Sequence, residues 1–340
     1  LLRRNAEYLV QSGKGILAAD ESPNSVAKWF DSINVENTAE NRRIYRQLLF
    51  TSPDIEKYIS GAIMHEETFD QGSDSSEQFP DLLISAGILP GIKLDKGLES
   101  ITSKTNETTT LGFDDLEKRC EYFYSRGAKF AKWRCVLCME TNKPTELAIW
   151  NNAIVLARFA TICQSKGLVP IVEPEVLSDG KHTLERCQQV TETVLAATFK
   201  ALSDYDVYLE GCLLKPNMVT FGQISKKQGE VDVGKKLRNL LKHSNINRTV
   251  PPALPGIVFL DGGQSEDNAT LHLNEMNKSK YAHKRPWKLT FSYGRALQVS
   301  ALNAWGGNRD NETSAQQTFL RRAAANAKAS TGEYEESTGR

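Results

Sequence analysis

The sequence predicts an α/β protein folded as one (β/α)8 TIM barrel. Three observations carry that expectation. Eight short apolar or β-branched runs recur along the 340 residues. Longer segments with helical apolar spacing lie between most of them, and strands alternating with helices build parallel sheets through right-handed crossovers. Charged residues fall at the C-terminal ends of the runs, the end at which barrel enzymes build their sites. A prior of about 150 residues per domain would allow two domains, but α/β barrels of ~250 residues and more fold as one. Residues 1–340 are therefore expected to form a single barrel domain, with an N-terminal helix and a mobile C-terminal tail from about 330. An open doubly wound sheet is the structural alternative.

The elements follow in order. The opening LLRRNAEYLVQSG reads as an amphipathic helix ended by Gly13 and not as a secretory signal. The chain begins without Met, so some N-terminal residues are expected to precede it. The eight strand candidates are 15–19, 61–65, 87–94, 129–137, 168–176, 208–218, 256–261 and 288–293. Asp114 and Thr145 are candidate N-caps of the helices that Gly127 and Gly167 end. LERCQQVTETVLAATFKALSD and GRALQVSALNAW have the same amphipathic spacing. The polar stretches 70–81 and 99–110 read as loops, and 226–248 as a polar helical insert with a solvated face.

Composition removes whole classes of function. The 42 basic residues balance 42 acidic ones, and no basic block stands out, which argues against general binding of nucleic acid or acidic membranes. No apolar run approaches the ~20 residues of a membrane span. Most of the six cysteines lie inside apolar segments, as packing thiols of a reduced, cytoplasmic protein do. The pair Cys135-x-x-Cys138 has neither a second pair nor a nearby His, and the five histidines lack ligand spacing. No metal and no cofactor is expected. Gly13-x-Gly15-x-x-Ala18 fits a relaxed dinucleotide fingerprint, but it precedes its strand and is set aside.

The chemistry is expected where the charges gather. Asp20 ends the first strand, and the next charged runs carry Lys93 with Asp95, Lys132 with Arg134, Glu173 with Glu175, and Lys215 with Asn217. Each pair is spaced by two, so a strand puts both members on one face. Opposite charges at such density offset part of each other's desolvation. A partly desolvated lysine among other cations has a lowered pKa and can attack a carbonyl as a neutral amine. Lys93, Lys132 and Lys215 compete for that role, and the apolar lead-in of Lys215 favours it modestly. The seventh and eighth strands end in Asp261-Gly-Gly-Gln-Ser265 and Ser292-Tyr-Gly-Arg295, the second running straight into a helix. Close backbone, a helix N-terminus and a forked cation together make a phosphate site.

These residues match a family. Gly15-Ile-Leu-Ala-Ala-Asp20-Glu-Ser22, Phe130-Ala-Lys132-Trp-Arg134, Val172-Glu173-Pro-Glu175, Leu214-Lys215-Pro-Asn217 and Phe291-Ser292-Tyr-Gly294-Arg295 resemble class I fructose-1,6-bisphosphate aldolase from about Gly13 to Ala329. The resemblance implies metal-free, reversible cleavage of fructose 1,6-bisphosphate to triose phosphates by a homo-oligomer, a dimer or tetramer, without nucleic-acid or membrane partners. It makes Lys215 the Schiff-base lysine, Glu173 the acid/base of carbinolamine chemistry and Asp20 the acceptor of the carbon-4 hydroxyl proton. Lys132 becomes a charged partner tied to Glu175. Ser22, Ser25, Lys93 and Arg134 would hold the 6-phosphate. Gly262, Ser292, Gly294 and Arg295 would hold the 1-phosphate. A relative that binds sugar phosphates or other proteins without full catalysis, or a transaldolase-like Schiff-base enzyme, is the alternative reading.

The sequence departs from this pattern at three points. Asp261 stands where a phosphate-binding serine is usual, and its side chain is expected to turn away towards Arg295 or Lys215. Trp29 stands where many members have arginine. The C-terminal tyrosine that members bring to the site is not found up to Arg340.

Overall fold

All eight apolar runs become parallel strands. A computed structural model describes residues 1–226, 248–278 and 285–335. The strands are β1 (Gly15–Ala19), β2 (Ile59–Met64), β3 (Leu89–Lys93), β4 (Phe130–Leu137), β5 (Val169–Val176), β6 (Leu213–Leu214), β7 (Gly256–Phe259) and β8 (Lys288–Tyr293). Each pairs with the next, and β8 returns to β1 with Ile16 opposite Ser292. The sheet is a closed (β/α)8 barrel, not the open alternative. Closure leaves no free edge, and helices cover the outer face, which is why the strands read as near-continuous apolar runs.

The shortest strand is β6. Pro216 has no N–H to continue the ladder, but neighbouring bonds extend the pairing. The N–H of Lys215 donates to the Val172 carbonyl at 2.8 Å, and that of Leu260 to the Pro216 carbonyl at 3.1 Å. Lys215 is thus fixed in main chain between β5 and β7.

The base of the barrel is stoppered. The helix Leu2–Leu9 buries Ala6 and Leu9 against Ile16, Ile63, Phe130 and Leu213. Ser60 Oγ donates to the Leu9 and Gly15 carbonyls at 2.7 and 3.0 Å, fastening the helix to the strand starts. Room for this packing comes from missing side chains: a Cβ on Gly61 would lie 2.5 Å from Leu9, and one on Gly91 2.2 Å from the Phe130 ring.

Local signals held at most helix ends. Thr145 Oγ1 accepts from Ala148 N at 3.2 Å and Thr183 Oγ1 from Arg186 N at 3.2 Å, starting the helices Glu146–Ser165 and Leu184–Asp204. Asp114 does not cap its helix: Leu116–Ser125 follows Asp115 in a left-handed conformation, with no side-chain cap. The stretch 99–110 is more than a loop. Leu98–Ser100 and Thr108–Thr110 form an antiparallel hairpin, and Thr110 Oγ1 donates to the Arg134 carbonyl at 2.8 Å. Part of 70–81 is likewise regular, since a helix begins at Phe79 with Pro80 in its first turn. The last helix, Glu312–Thr331, extends past residue 330, and Tyr334 exchanges two hydrogen bonds with Asn274 at 2.8 and 3.0 Å. The insert expected over 226–248 falls almost wholly outside the described residues, as do residues 336–340.

Candidate active site

The C-terminal end of the barrel opens into a cavity of about 590 Å³. Its lining includes every residue that the sequence nominated: Asp20, Ser22, Ser25, Lys93, Lys132, Arg134, Glu173, Glu175, Lys215, Gly262, Ser292, Gly294 and Arg295. Seven of the eight barrel strands, all but β2, supply lining residues, six of them at or just beyond their C-terminal ends and β4 from within the strand, at Lys132 and Arg134. Spacing by two thus carries Lys93 with Asp95, Lys132 with Arg134 and Glu173 with Glu175 to the cavity, whereas Asn217 turns from Lys215 to β5 and accepts from Val176 N at 2.9 Å.

Glu173 is the hub. One carboxylate oxygen, Oε1, lies 3.4 Å from Lys215 Nζ, and the other, Oε2, lies 3.1 Å from Lys132 Nζ. Lys132 Nζ also meets Asp20 Oδ2 at 2.8 Å. All four side chains are at most 10% exposed. Such burial is tolerable only because each charge has a partner. Burial alone would lower the Lys132 pKa, but Asp20 and Glu173 outweigh it and hold the ammonium protonated well above the usual lysine range. Burial would raise Asp20, but Lys132, then Lys215 and Lys93, keep it ionised well below the usual carboxylate range. The contacts separate Lys132 from Lys215: Lys132 is held as a cation between two carboxylates, whereas Lys215 meets a single carboxylate oxygen, Glu173 Oε1.

The expected tie between Lys132 and Glu175 is not found. Glu175 pairs with Arg134 instead, through Arg134 Nε and Glu175 Oε2. Register explains the exchange. Arg134 stands opposite Glu173 across β4 and β5, and Val136 opposite Glu175, so each cation's nearest carboxylates are set by its row and the stagger between rows. Lys93 Nζ meets Asp95 Oδ1 at 2.8 Å. Ser22 caps the helix Pro23–Ser32, accepting from Ser25 N at 3.4 Å, and the two hydroxyls lie 3.1 Å apart. Trp29, on the same helix, adds an apolar wall to that side of the cavity.

Asp261 neither faces Arg295 nor reaches Lys215. Its Oδ2 accepts from Gly294 N and Ala296 N, both at 3.1 Å, capping the helix Arg295–Trp305. The Gly294 N–H, expected among the donors for the 1-phosphate, is therefore engaged. Ser292 Oγ is buried beside it without a hydrogen-bond partner.

This charged ring on a closed barrel agrees with comparison to known proteins. The family model described as fructose-bisphosphate aldolase class-I matches residues 1–340. The chain belongs to the class I fructose-bisphosphate aldolase family. It is 54% identical over 332 residues to fructose-bisphosphate aldolase 4, cytosolic, of Arabidopsis thaliana, covering 97% of this chain and 82% of that protein. Fructose-bisphosphate aldolase 2 of Caenorhabditis elegans is also 54% identical, with 98% and 89% covered. Among solved structures, the Plasmodium falciparum fructose-bisphosphate aldolase in complex with TRAP and a small-molecule inhibitor superposes with a TM-score of 0.93 at 49% identity, covering 98% of this chain and 95% of that one.

Sequence reasoning missed a buried support beneath the site. Arg46 Nη2 pairs with Glu21 Oε2 at 2.7 Å, and Gln298 joins both, its Nε2 donating to Glu21 Oε1 at 3.2 Å and its Oε1 accepting from Arg46 Nη1 at 3.1 Å. Arg46 is only 2% exposed. The one signal available was a second carboxylate directly after Asp20. Burial pushes Glu21 above the usual carboxylate range despite Arg46.

Proposed function

We propose that this chain reversibly cleaves fructose 1,6-bisphosphate to dihydroxyacetone phosphate and glyceraldehyde 3-phosphate through a Schiff base on Lys215. The carrying observation is the divided duty of Glu173, one oxygen facing Lys215 and the other facing the locked Lys132. Glu173 accepts the Lys215 proton, freeing the amine to attack the carbon-2 carbonyl. The same carboxyl returns a proton to the carbinolamine oxygen, and water leaves to give an iminium. Asp20, held ionised, takes the carbon-4 hydroxyl proton. The carbon-3 to carbon-4 bond then breaks: its electron pair moves into the iminium as an enamine, and carbon 4 departs as the aldehyde. Protonation of carbon 3 and addition of water release the ketone and regenerate the amine. The iminium is the electron sink, so no step calls for a metal.

Phosphate anchors at both ends would align the substrate on Lys215. Ser22, Ser25, Lys93 and Arg134 form the 6-phosphate side of the proposal. Gly262, Ser292, Gly294 and Arg295 form the 1-phosphate side, with Gly294 limited by its bond to Asp261. A homo-oligomer and a cytoplasmic location belong to the same proposal. The location is supported by the plant relatives named cytosolic or cytoplasmic, and by the lack, among the described residues, of any helix long and apolar enough to cross a membrane.

Borohydride reduction in the presence of dihydroxyacetone phosphate, followed by peptide mapping, tests the nucleophile. The adduct is expected on Lys215 and lost in Lys215→Met. An adduct on Lys132 or Lys93 would overturn the assignment.

A further inference from the structure

Asp261 does more than avoid the phosphate. The helix Arg295–Trp305 begins at the cavity with Gly294 as its N-cap and has no side-chain cap from the residues flanking its own start. Its first N–H groups, which have no acceptor within the helix, form an anion-binding feature on this side of the bowl, because they combine donors with the positive end of the helix dipole. Two of them, on Gly294 and Ala296, are bonded to one oxygen of Asp261. The carboxylate stands just after β7, at the start of the turn whose next two residues, Gly262 and Gly263, are at positive φ (57° and 74°). Beside it Ser292, 1% exposed and part of the cavity lining, holds a hydroxyl with no partner. Arg295 has no carboxylate within 4 Å among the described residues. The cradle is thus half filled from within and half waiting.

We propose that Asp261 is a specificity-determining residue: a resident carboxylate that occupies the anion cradle of the 1-phosphate side and disfavours a phosphate there. This rests on the aldolase reading of the site and sharpens it. A phosphate entering beside Ser292 must displace the carboxylate from two N–H groups or lie against a like charge. Both lower affinity, and neither affects a donor whose corresponding arm ends in a neutral hydroxyl. The chain therefore discriminates less between phosphorylated and unphosphorylated ketone donors than the same site would with a neutral residue at 261.

Asp261→Asn tests charge apart from shape, since the amide oxygen can still accept from Gly294 and Ala296 and asparagine caps helices as well as aspartate does. The measurement is the equilibrium affinity for dihydroxyacetone phosphate, and separately for dihydroxyacetone, by calorimetry at fixed ionic strength. The Asn variant is expected to bind dihydroxyacetone phosphate at least tenfold more tightly than the natural chain. Affinity for dihydroxyacetone should change by less than threefold. Asp261→Glu, which keeps the charge, should not tighten phosphate binding, and Asp261→Ser serves as the neutral variant if Asn fails to fold. Unchanged or weaker phosphate affinity in the neutral variant, or equal tightening in Asp261→Glu, would overturn the proposal. Failure of the aldolase reading looks different. There the neutral variant still binds the phosphate more tightly, which upholds the charge argument, while borohydride leaves Lys215 unlabelled.

Discussion

Replacing Lys132 with methionine removes the cation that two buried carboxylates share. At 2.8 Å from Asp20 and 3.1 Å from Glu173, each contact is worth about 5–6 kcal/mol of Coulomb attraction at an effective dielectric near 20. Most of that offsets the desolvation of the three groups. The net loss on removing one partner of a buried pair is about 3–5 kcal/mol. Lys215 keeps one contact with Glu173 and so holds the loss to the lower part of that range. With an unfolding entropy of roughly 0.7 kcal/mol/K for a chain of this length, a loss of about 3–4 kcal/mol should lower Tm by ~4–6 °C. The effect on pH follows from Asp20. Its depressed pKa adds stability above its unfolded value of about 3.9, and that stability is lost as pH falls through the folded value. Without Lys132, burial pushes the Asp20 pKa up, so acid unfolding should begin at higher pH than in the natural chain. Catalysis should suffer more than binding, because Lys132 positions Asp20 and Glu173, the groups that move protons, and losing such positioned acid–base groups costs up to roughly 10²–10⁴ in kcat. Calorimetric melts across pH 3–8, combined with steady-state cleavage assays, read both effects. A variant with the natural acid limb and undiminished kcat would refute the shared-cation account.

Two further outcomes are expected. Cleavage activity should survive EDTA, because the iminium serves as electron sink; activity lost on chelation and restored by zinc would contradict the lysine mechanism. At the barrel base, Gly91→Ala should destabilise by about 1–3 kcal/mol in denaturant titrations, since the new methyl meets the Phe130 ring, and combining it with Phe130→Leu should recover part of the loss; purely additive losses would show that the two positions do not compete for the same space.

The strands were legible because both faces of a barrel strand are buried, so runs such as GILAA and the start of LVPIVEPEV contain little else than apolar residues. The site was legible because in most of those runs charges gather towards the C-terminal end with a spacing of two. Pairing was not. The spacing puts Lys132 and Arg134 on one face, but which carboxylate each meets depends on the stagger between β4 and β5, a property of the closed sheet. The hairpin at Leu98–Thr110 escaped detection because three-residue strands of mostly polar residues lack a period to read, and their bonding is completed by distant groups such as the Arg134 carbonyl. Asp261 was misread for a related reason. Its cap spans 33 residues and joins two strands, whereas sequence rules for caps look three residues ahead.

The stopper at the base of the barrel also governs traffic. Leu9 and Phe130 are buried in the cluster that fills one end of the barrel, so among the described residues the way in lies at the other end, where the cavity is. On the proposed mechanism, a substrate tethered to the wall at Lys215 and cut in two has one fragment free and one covalently held. The free aldehyde departs first, and the held ketone follows only after water has reached the enamine by the same route. In the reverse direction the ketone must be loaded before the aldehyde can find its place. The covalent tether sets that order of arrival and departure; the short amphipathic helix at the far end of the molecule, packed into the base, sets the end of the barrel it uses.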